Sequence, residues 1–234
     1  ELVEFGHPKA DKGLPVFNYS IAYDTDNREP LFYEQYPGSI VDISQLQFML
    51  QKVQGYGYRQ VGFILDRGYF CKENIKYMDQ CGYDFIIMVK GMNSLVRDLI
   101  LENKGKFENI REYSIRQYKC SGMTVKRQLY SSDEEERYFH IYYSDQKACA
   151  EHEQVEGKID RMMKYLNSIK GQKVNVGDGF KEYFHLEIYE QDGTFLYARE
   201  KTEAVQREID LGGYFVIVTS KKMSAKEALE LYKS

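Results

Sequence analysis

The run Val61-Gly62-Phe63-Ile64-Leu65 stops abruptly on Asp66-Arg67-Gly68, and no other stretch narrows the fold as much. Nearly uninterrupted apolar residues between Gln60 and Asp66 read as a strand covered on both faces, which belongs in a sheet with helices packed against it. Asp66 then stands at the strand's C-terminal end. In open α/β sheets that end collects ligands and reacting groups, because its loops are exposed while the strand holds them rigid. The same residues also read as a plain turn opened by Asp66 and completed by Gly68. Local sequence leaves both readings standing.

The flanking segments extend the pattern. Residues 1–15 contain Gly6, Pro8, Gly13 and Pro15 with little periodicity and read as an extended lead-in. Residues 16–23 and 30–36 alternate, are rich in β-formers, and are joined by the polar stretch Asp24-Thr25-Asp26-Asn27-Arg28-Glu29, which predicts a hairpin. Asp42 followed by Gln45 is a capping-box pattern, and Ile43, Leu46, Met49, Leu50 and Val53 recur at helical spacing up to Gly55. Residues 74–80 predict a helix ended by Gly82, residues 85–89 a second buried strand, and residues 93–103 a further helix. Strand, strand, helix, strand, helix, strand makes an α/β layer.

From Lys106 the character changes. Residues 113–118, 124–130 and 138–143 are short, aromatic and alternating, which predicts a separate antiparallel unit. Residues 146–170 predict a long helix in which Ala148, His152, Val155, Ile159, Met162, Leu166 and Ile169 follow steps of four and three. This coiled-coil-like stripe packs on the unit's own strands or forms the seam of a homodimer. Residues 183–189 and 194–199 resume the short strands, Gly212-Gly213 closes the region, and residues 214–219 are a buried strand of the first type. Ser224 then opens a helix through Ala225, Ala228, Leu229 and Tyr232. The expectation is one mixed sheet of the strands at 16–23, 30–36, 61–65, 85–89 and 214–219. Residues 92–211 are then an insertion domain between core segments 1–91 and 212–234.

Composition bounds the function classes. A chain of 234 residues with 43% hydrophobic and 29% charged residues has the profile of a soluble globular protein. It has no run of about 18 apolar residues to span a membrane, and its start is not a signal peptide. Cys71, Cys81, Cys120 and Cys149 form no paired motif, so neither a zinc knuckle nor a disulfide framework is indicated and a reducing, cytoplasmic setting is expected. A net charge of -4 excludes a global basic footprint, so any polyanion has to be met by a local patch.

Several segments together carry a family likeness. They are Gly6-His7-Pro8-Lys9; Pro30-Leu31-Phe32-Tyr33-Glu34 with Pro37-Gly38-Ser39 and Asp42; Asp66-Arg67-Gly68-Tyr69-Phe70 with Asn74-Ile75; and Gly213-Tyr214-Phe215-Val216-Ile217-Val218-Thr219 with the helix through Tyr232. The whole chain resembles bacterial insertion-sequence transposases of the DDE type, and the Asp66 segment is the most specific part. The resemblance implies an α/β, RNase H-like fold, as in retroviral integrases. Its mixed sheet and helices are interrupted by a β-rich insertion with a long helix. It also implies an enzyme that cuts and rejoins DNA with Mg²⁺ or Mn²⁺, hard cations that prefer carboxylate oxygens and in pairs clamp the attacking and leaving oxygens of a phosphoryl transfer.

Three acids hold the metals in this family, and Asp66 matches the middle one, as catalytic residue and metal ligand. The first belongs to a strand preceding the hairpin and is expected upstream of Glu1. The third belongs to a signature of Tyr, two residues, Arg, three residues, Glu, six residues, Lys, whose first position matches Tyr232, which puts the rest beyond Ser234. The expectation is a central fragment, inactive alone, from a bacterial cytoplasmic enzyme that joins the nucleoid when it binds transposon ends and target DNA. The alternative is a non-catalytic remnant or a DNA- or protein-interaction module keeping the same fold, and another RNase H-like nuclease is a third option.

Other candidates have plainer readings. Asp24 sits in a turn-rich neighbourhood, and Glu227 and Glu230 fit a solvated helix face. His7, His140, His152 and His185 are scattered without ligand spacing, and Gly177-Asp178-Gly179 is a turn with no phosphate-loop pattern around it. Lys9, Arg67, Lys72, Lys76 and Lys90 are candidate DNA-phosphate contacts near Asp66, or ordinary surface charge. Most of the 21 tyrosines fall at alternating strand positions, where cross-strand packing accounts for them better than base stacking.

Overall fold

The computed structural model describes residues 3–5, 14–24, 27–38, 42–58, 62–89, 94–133, 135–189 and 191–234, the side chains of residues 42–44 excepted. In chain order the elements begin β1 (Phe17–Asp24), β2 (Glu29–Pro37), α1 (Asp42–Gly55), β3 (Gly62–Leu65), α2 (Lys72–Cys81), β4 (Asp84–Met88) and α3 (Ser94–Asn103). They continue with β5 (Ser114–Ile115), β6 (Cys120–Gln128), β7 (Glu136–Tyr143), α4 (Asp145–Ser168), α5 (Asp178–Tyr183), β8 (Phe184–Tyr189) and β9 (Thr194–Glu200). The last three are α6 (Thr202–Asp210), β10 (Tyr214–Thr219) and α7 (Ala225–Tyr232). Two compact units result: Glu1–Val96, Met123–Ile141 and Val216–Ser234 form the first, Arg97–Gly122 and Tyr142–Phe215 the second.

In the first unit β1 and β2 pair antiparallel from Phe17↔Pro37 to Asp24↔Glu29. Their connection is an Asx turn, in which the Asn27 backbone N–H and Nδ2 donate to the Asp24 carboxylate at 3.1 and 2.7 Å. The alternation is inverted relative to an ordinary half-buried pair. Phe17, Tyr19, Ile21, Tyr23, Leu31 and Tyr33 are all exposed, with Tyr19 and Tyr33 stacked 5.4 Å apart. The other face holds buried Ser20 and Tyr36, the Phe32 ring 5.5 Å from Tyr56, and Glu34 paired with Lys52 of α1.

The remaining strands of this unit run in the order β3-β4-β10-β7-β6. β3 is parallel to β4, from Gly62↔Asp84 to Leu65↔Ile87, and β10 is antiparallel to β4, with Ile217↔Met88 and Thr219↔Ile86. Leu65, Phe85, Ile86, Ile87, Ile217 and Val218 are buried from the sheet side, as are Leu46, Leu50 and Val53 of α1, Ile75 and Met78 of α2, and Ala228 and Leu229 of α7. His140 of β7 is fully buried, with Nδ1 2.9 Å from Thr124 Oγ1 of β6 and Nε2 3.0 Å from Thr219 Oγ1 of β10. The Thr219 hydroxyl donates to the Lys221 carbonyl at 2.7 Å. Its oxygen therefore accepts from Nε2–H, and the Thr124 hydroxyl donates to Nδ1.

The expected five-strand sheet is corrected on two counts. β1 and β2 form a two-stranded sheet of their own, and β6 and β7, placed by the sequence in the insertion, follow β10 in the sheet of β3 and β4. Local alternation says which residues make strands, but strand partners are set by long-range burial. Phe139 and Ile141 of β7 are fully buried, the mark of a central strand.

The second unit is built around α4. Val155, Ile159, Leu166 and Ile169 bury against Val176, Tyr183, Phe184, Phe195 and Val205, so the stripe packs on this unit's own α5, β8, β9 and α6. His152 pairs with Glu156 at 3.4 Å, while β8 and β9 form a separate antiparallel pair in which His185 faces Arg199. Here too the expectation is corrected. Residues 113–118 are mostly two 3₁₀ turns, Arg111–Tyr113 and Arg116–Tyr118, around the two-residue β5, and Asp178 opens a helix. Gly213 has φ +86, and a Cβ there would come within 2.7 Å of Ala148 and 2.8 Å of the Tyr143 ring.

Candidate active site at the Asp66 strand end

Asp66 combines a strand-end position with a turn. It is exposed immediately after β3, and it is the N-cap of a 3₁₀ turn over Arg67–Tyr69. Its Oδ1 accepts from the Arg67 backbone N–H at 2.7 Å, and its carbonyl accepts from the Tyr69 N–H at 3.0 Å. A carboxylate hydrogen-bonded within its own turn keeps a defined direction. The turn is tied to its neighbours through Tyr69. The buried Asn74 Nδ2 donates to the Tyr69 carbonyl at 3.0 Å, and the Tyr69 and Ser20 hydroxyls stand 3.4 Å apart. Cys71 caps α2, its Sγ accepting from the Asn74 N–H at 3.4 Å, and Gly82 at φ 68 ends that helix as its sequence position foretold.

Strand directions decide what else reaches Asp66. β3 parallel to β4 and β10 antiparallel to it put the end of β10 at the opposite edge from Asp66, beside Asp84. There the Phe85 N–H donates to Ser220 Oγ at 3.0 Å, and Lys221 pairs with Asp84. Ser224 then caps α7 through a full capping box with Glu227. α7 is eight residues long, so it covers roughly 12 Å, packs on β4 and runs back along the sheet. Tyr232 ends it within electrostatic reach of Asp66 and Arg67. Its hydroxyl is pushed above the ordinary tyrosine value by burial first and by the Asp66 charge second, with Arg67 opposing.

The other acids considered are accounted for by local partners. Asp24 serves the hairpin turn. Glu227 serves the cap, the Ser224 N–H holding its carboxyl below the usual range, and Glu230 lies 3.9 Å from Lys226. Of the cations, Arg67 and Lys76 are exposed. Lys72 donates to Ser132 Oγ at 2.9 Å with its ammonium 4.8 Å from the Tyr130 ring centre. Lys9, Lys90 and His7 lie outside the described residues. Sequence reasoning missed the supporting role of Asn74 and Ser20. An asparagine in the first turn of the next helix was the one visible signal.

The family model of the transposase DDE domain matches residues 2–234. The chain belongs to the DDE transposase family. Comparison with curated proteins and with solved structures gives no match. For this transposase domain, membership implies transposition-related DNA cleavage, DNA as partner, and divalent metal ions. Asp66 suits such an ion, being an exposed hard-oxygen donor. Among the described residues no group of three or more potential ligands gathers that could hold a metal. No helix among the described residues is long and apolar enough to cross a membrane.

Proposed function

We propose that this chain is the DDE domain of a transposase with an RNase H-like fold, in which Asp66 is the middle acid of the metal-holding set. The observation that carries this reading is the return of α7 along β4 to the Asp66 end, which brings Tyr232 within electrostatic reach of Asp66. In insertion-sequence transposases a tyrosine at this place opens the signature that goes on to the third acid, two helical turns further on the same face. The first acid, from a strand before the hairpin, and that third acid complete the set in the intact enzyme. There, Mg²⁺ or Mn²⁺ would be held by Asp66 and stabilise charge on the oxygens of the phosphoryl being transferred. Asp66 contributes direction, since its turn fixes one carboxylate oxygen. Exposed Arg67 and Lys76 supply phosphate contacts for transposon ends and target DNA, in the bacterial cytoplasm and on the nucleoid.

The test is cleavage of DNA carrying the transposon ends by three proteins in parallel: this chain, the intact transposase, and its Asp66→Asn variant. This chain alone is expected to be inactive, since among its described residues no group of three or more ligands gathers that could hold two metals in register. The intact enzyme should cut with Mg²⁺ or Mn²⁺. Asp66→Asn should abolish cleavage and leave DNA binding in place. Full cleavage by Asp66→Asn would refute the assignment and leave a non-catalytic interaction module as the better reading. Cleavage by this chain alone would mean that Asp24, Glu227 or Glu230 is a working acid.

A further inference from the structure

We propose that Asn74 is a positioning residue for Asp66, setting the direction of the carboxylate through the turn that follows it. The inference rests on the reading of Asp66 as a metal-holding acid. Asn74 is 1% exposed and lies in the first turn of α2. Its Nδ2 donates to the Tyr69 carbonyl at 3.0 Å. Tyr69 is the last residue of the 3₁₀ turn, and its own N–H closes that turn on the Asp66 carbonyl at 3.0 Å. The Arg67 N–H that holds Asp66 Oδ1 belongs to the same turn. One buried side chain therefore ties a three-residue turn to a helix whose face is anchored in the core by Ile75 and Met78. The carboxylate itself is exposed, and the hydrogen bond that orients it comes from within the turn.

A short 3₁₀ turn has poor hydrogen-bond geometry and opens easily when unsupported. Without the Asn74 donor the Tyr69 carbonyl loses its buried partner, and the turn is free to relax toward water. A metal ligand displaced by about 1 Å forfeits much of its effect. The consequence belongs to metal binding, because the metal must then order the turn as it binds. Supplying more metal should restore the rate.

The experiment uses the intact transposase and titrates Mn²⁺ in cleavage of end-bearing DNA, with thermal melting in parallel. Asn74→Ala is expected to raise the half-saturating Mn²⁺ concentration about 10-fold, at the low end for residues that orient metal ligands, and to regain most of the rate at saturating Mn²⁺. Met78→Ala is the comparison, being fully buried on the same helix. It should lower the melting temperature while keeping the Mn²⁺ titration of the parent. If Asn74→Ala does not fold, Asn74→Ser carries the same expectation, since its hydroxyl is too short to reach the carbonyl. An unmoved titration in the folded Asn74 variant, with Asp66→Asn inactive, overturns the positioning role alone. An active Asp66→Asn overturns the reading of Asp66 and this inference with it.

Discussion

A histidine sealed between three strands has to stay neutral, and His140 pays no ionic dividend for its position. Burial pushes its pKa down to about 4, against an ordinary value of about 6.5. The depressed folded value means that the unfolded chain binds the extra proton first. Stability is full above about pH 6.5 and falls as pH drops toward 4, by on the order of 3 kcal/mol from this group. Chemical denaturation of the chain and of His140→Gln, followed from pH 7 to 4.5, should give curves that converge as the pH falls. Parallel curves would show that His140 takes up its proton without penalty. At this scale the sequence was informative where a residue's role is set by its neighbours in the chain. Asp66 stands at its strand end, and Asp24 closes its turn, as the local pattern says. Lys72 was not legible, because its partner Ser132 lies 60 residues away. His140 looked merely scattered for the same reason, its partners lying on two other strands.

Among the elements, α7 is the one whose small parts have the largest reach. A helix of eight residues is marginal by itself, so its start depends on the cap. Ser224 Oγ accepts from the Glu227 N–H at 3.2 Å, and the Glu227 carboxylate accepts from the Ser224 N–H at 2.8 Å. Ser224→Ala should cost about 1 kcal/mol. It should also speed hydrogen exchange of the amides at 225–232 more than those of β4, because the helix frays while the sheet beneath it holds. Equal protection across both would show that packing on β4, not the cap, holds the helix. The hairpin, α1, α2 with Gly82, β3, β4 and β10 could all be read from periodicity and end signals. Sheet membership could not. β6 and β7 alternate like a peripheral unit, yet the alternation hides buried Phe139 and Ile141. α6 escaped notice because Val205 is its only buried residue, too little apolar repetition to announce a helix.

For the whole molecule, the site was legible in kind and incomplete in content. The strand end that presents Asp66 could be read from the apolar run, its match to a metal-holding acid came from the resemblance, and the approach of Tyr232 followed only once strand directions were known. The aromatic outer side of the hairpin has a consequence of another sort. Phe17, Tyr19, Ile21, Tyr23, Leu31 and Tyr33 stand in water together, on a chain with pI about 5.7 and net charge -4. In colloidal language this is a patchy particle with weak mutual repulsion, and contiguous apolar patches drive association. Static light scattering of the purified chain should show net attraction that strengthens as pH falls toward 5.7 and as added salt screens the remaining charge. Tyr33→Glu, which sets a charge in the middle of the patch and adds to the net negative charge, should weaken that attraction while leaving the melting temperature nearly unchanged.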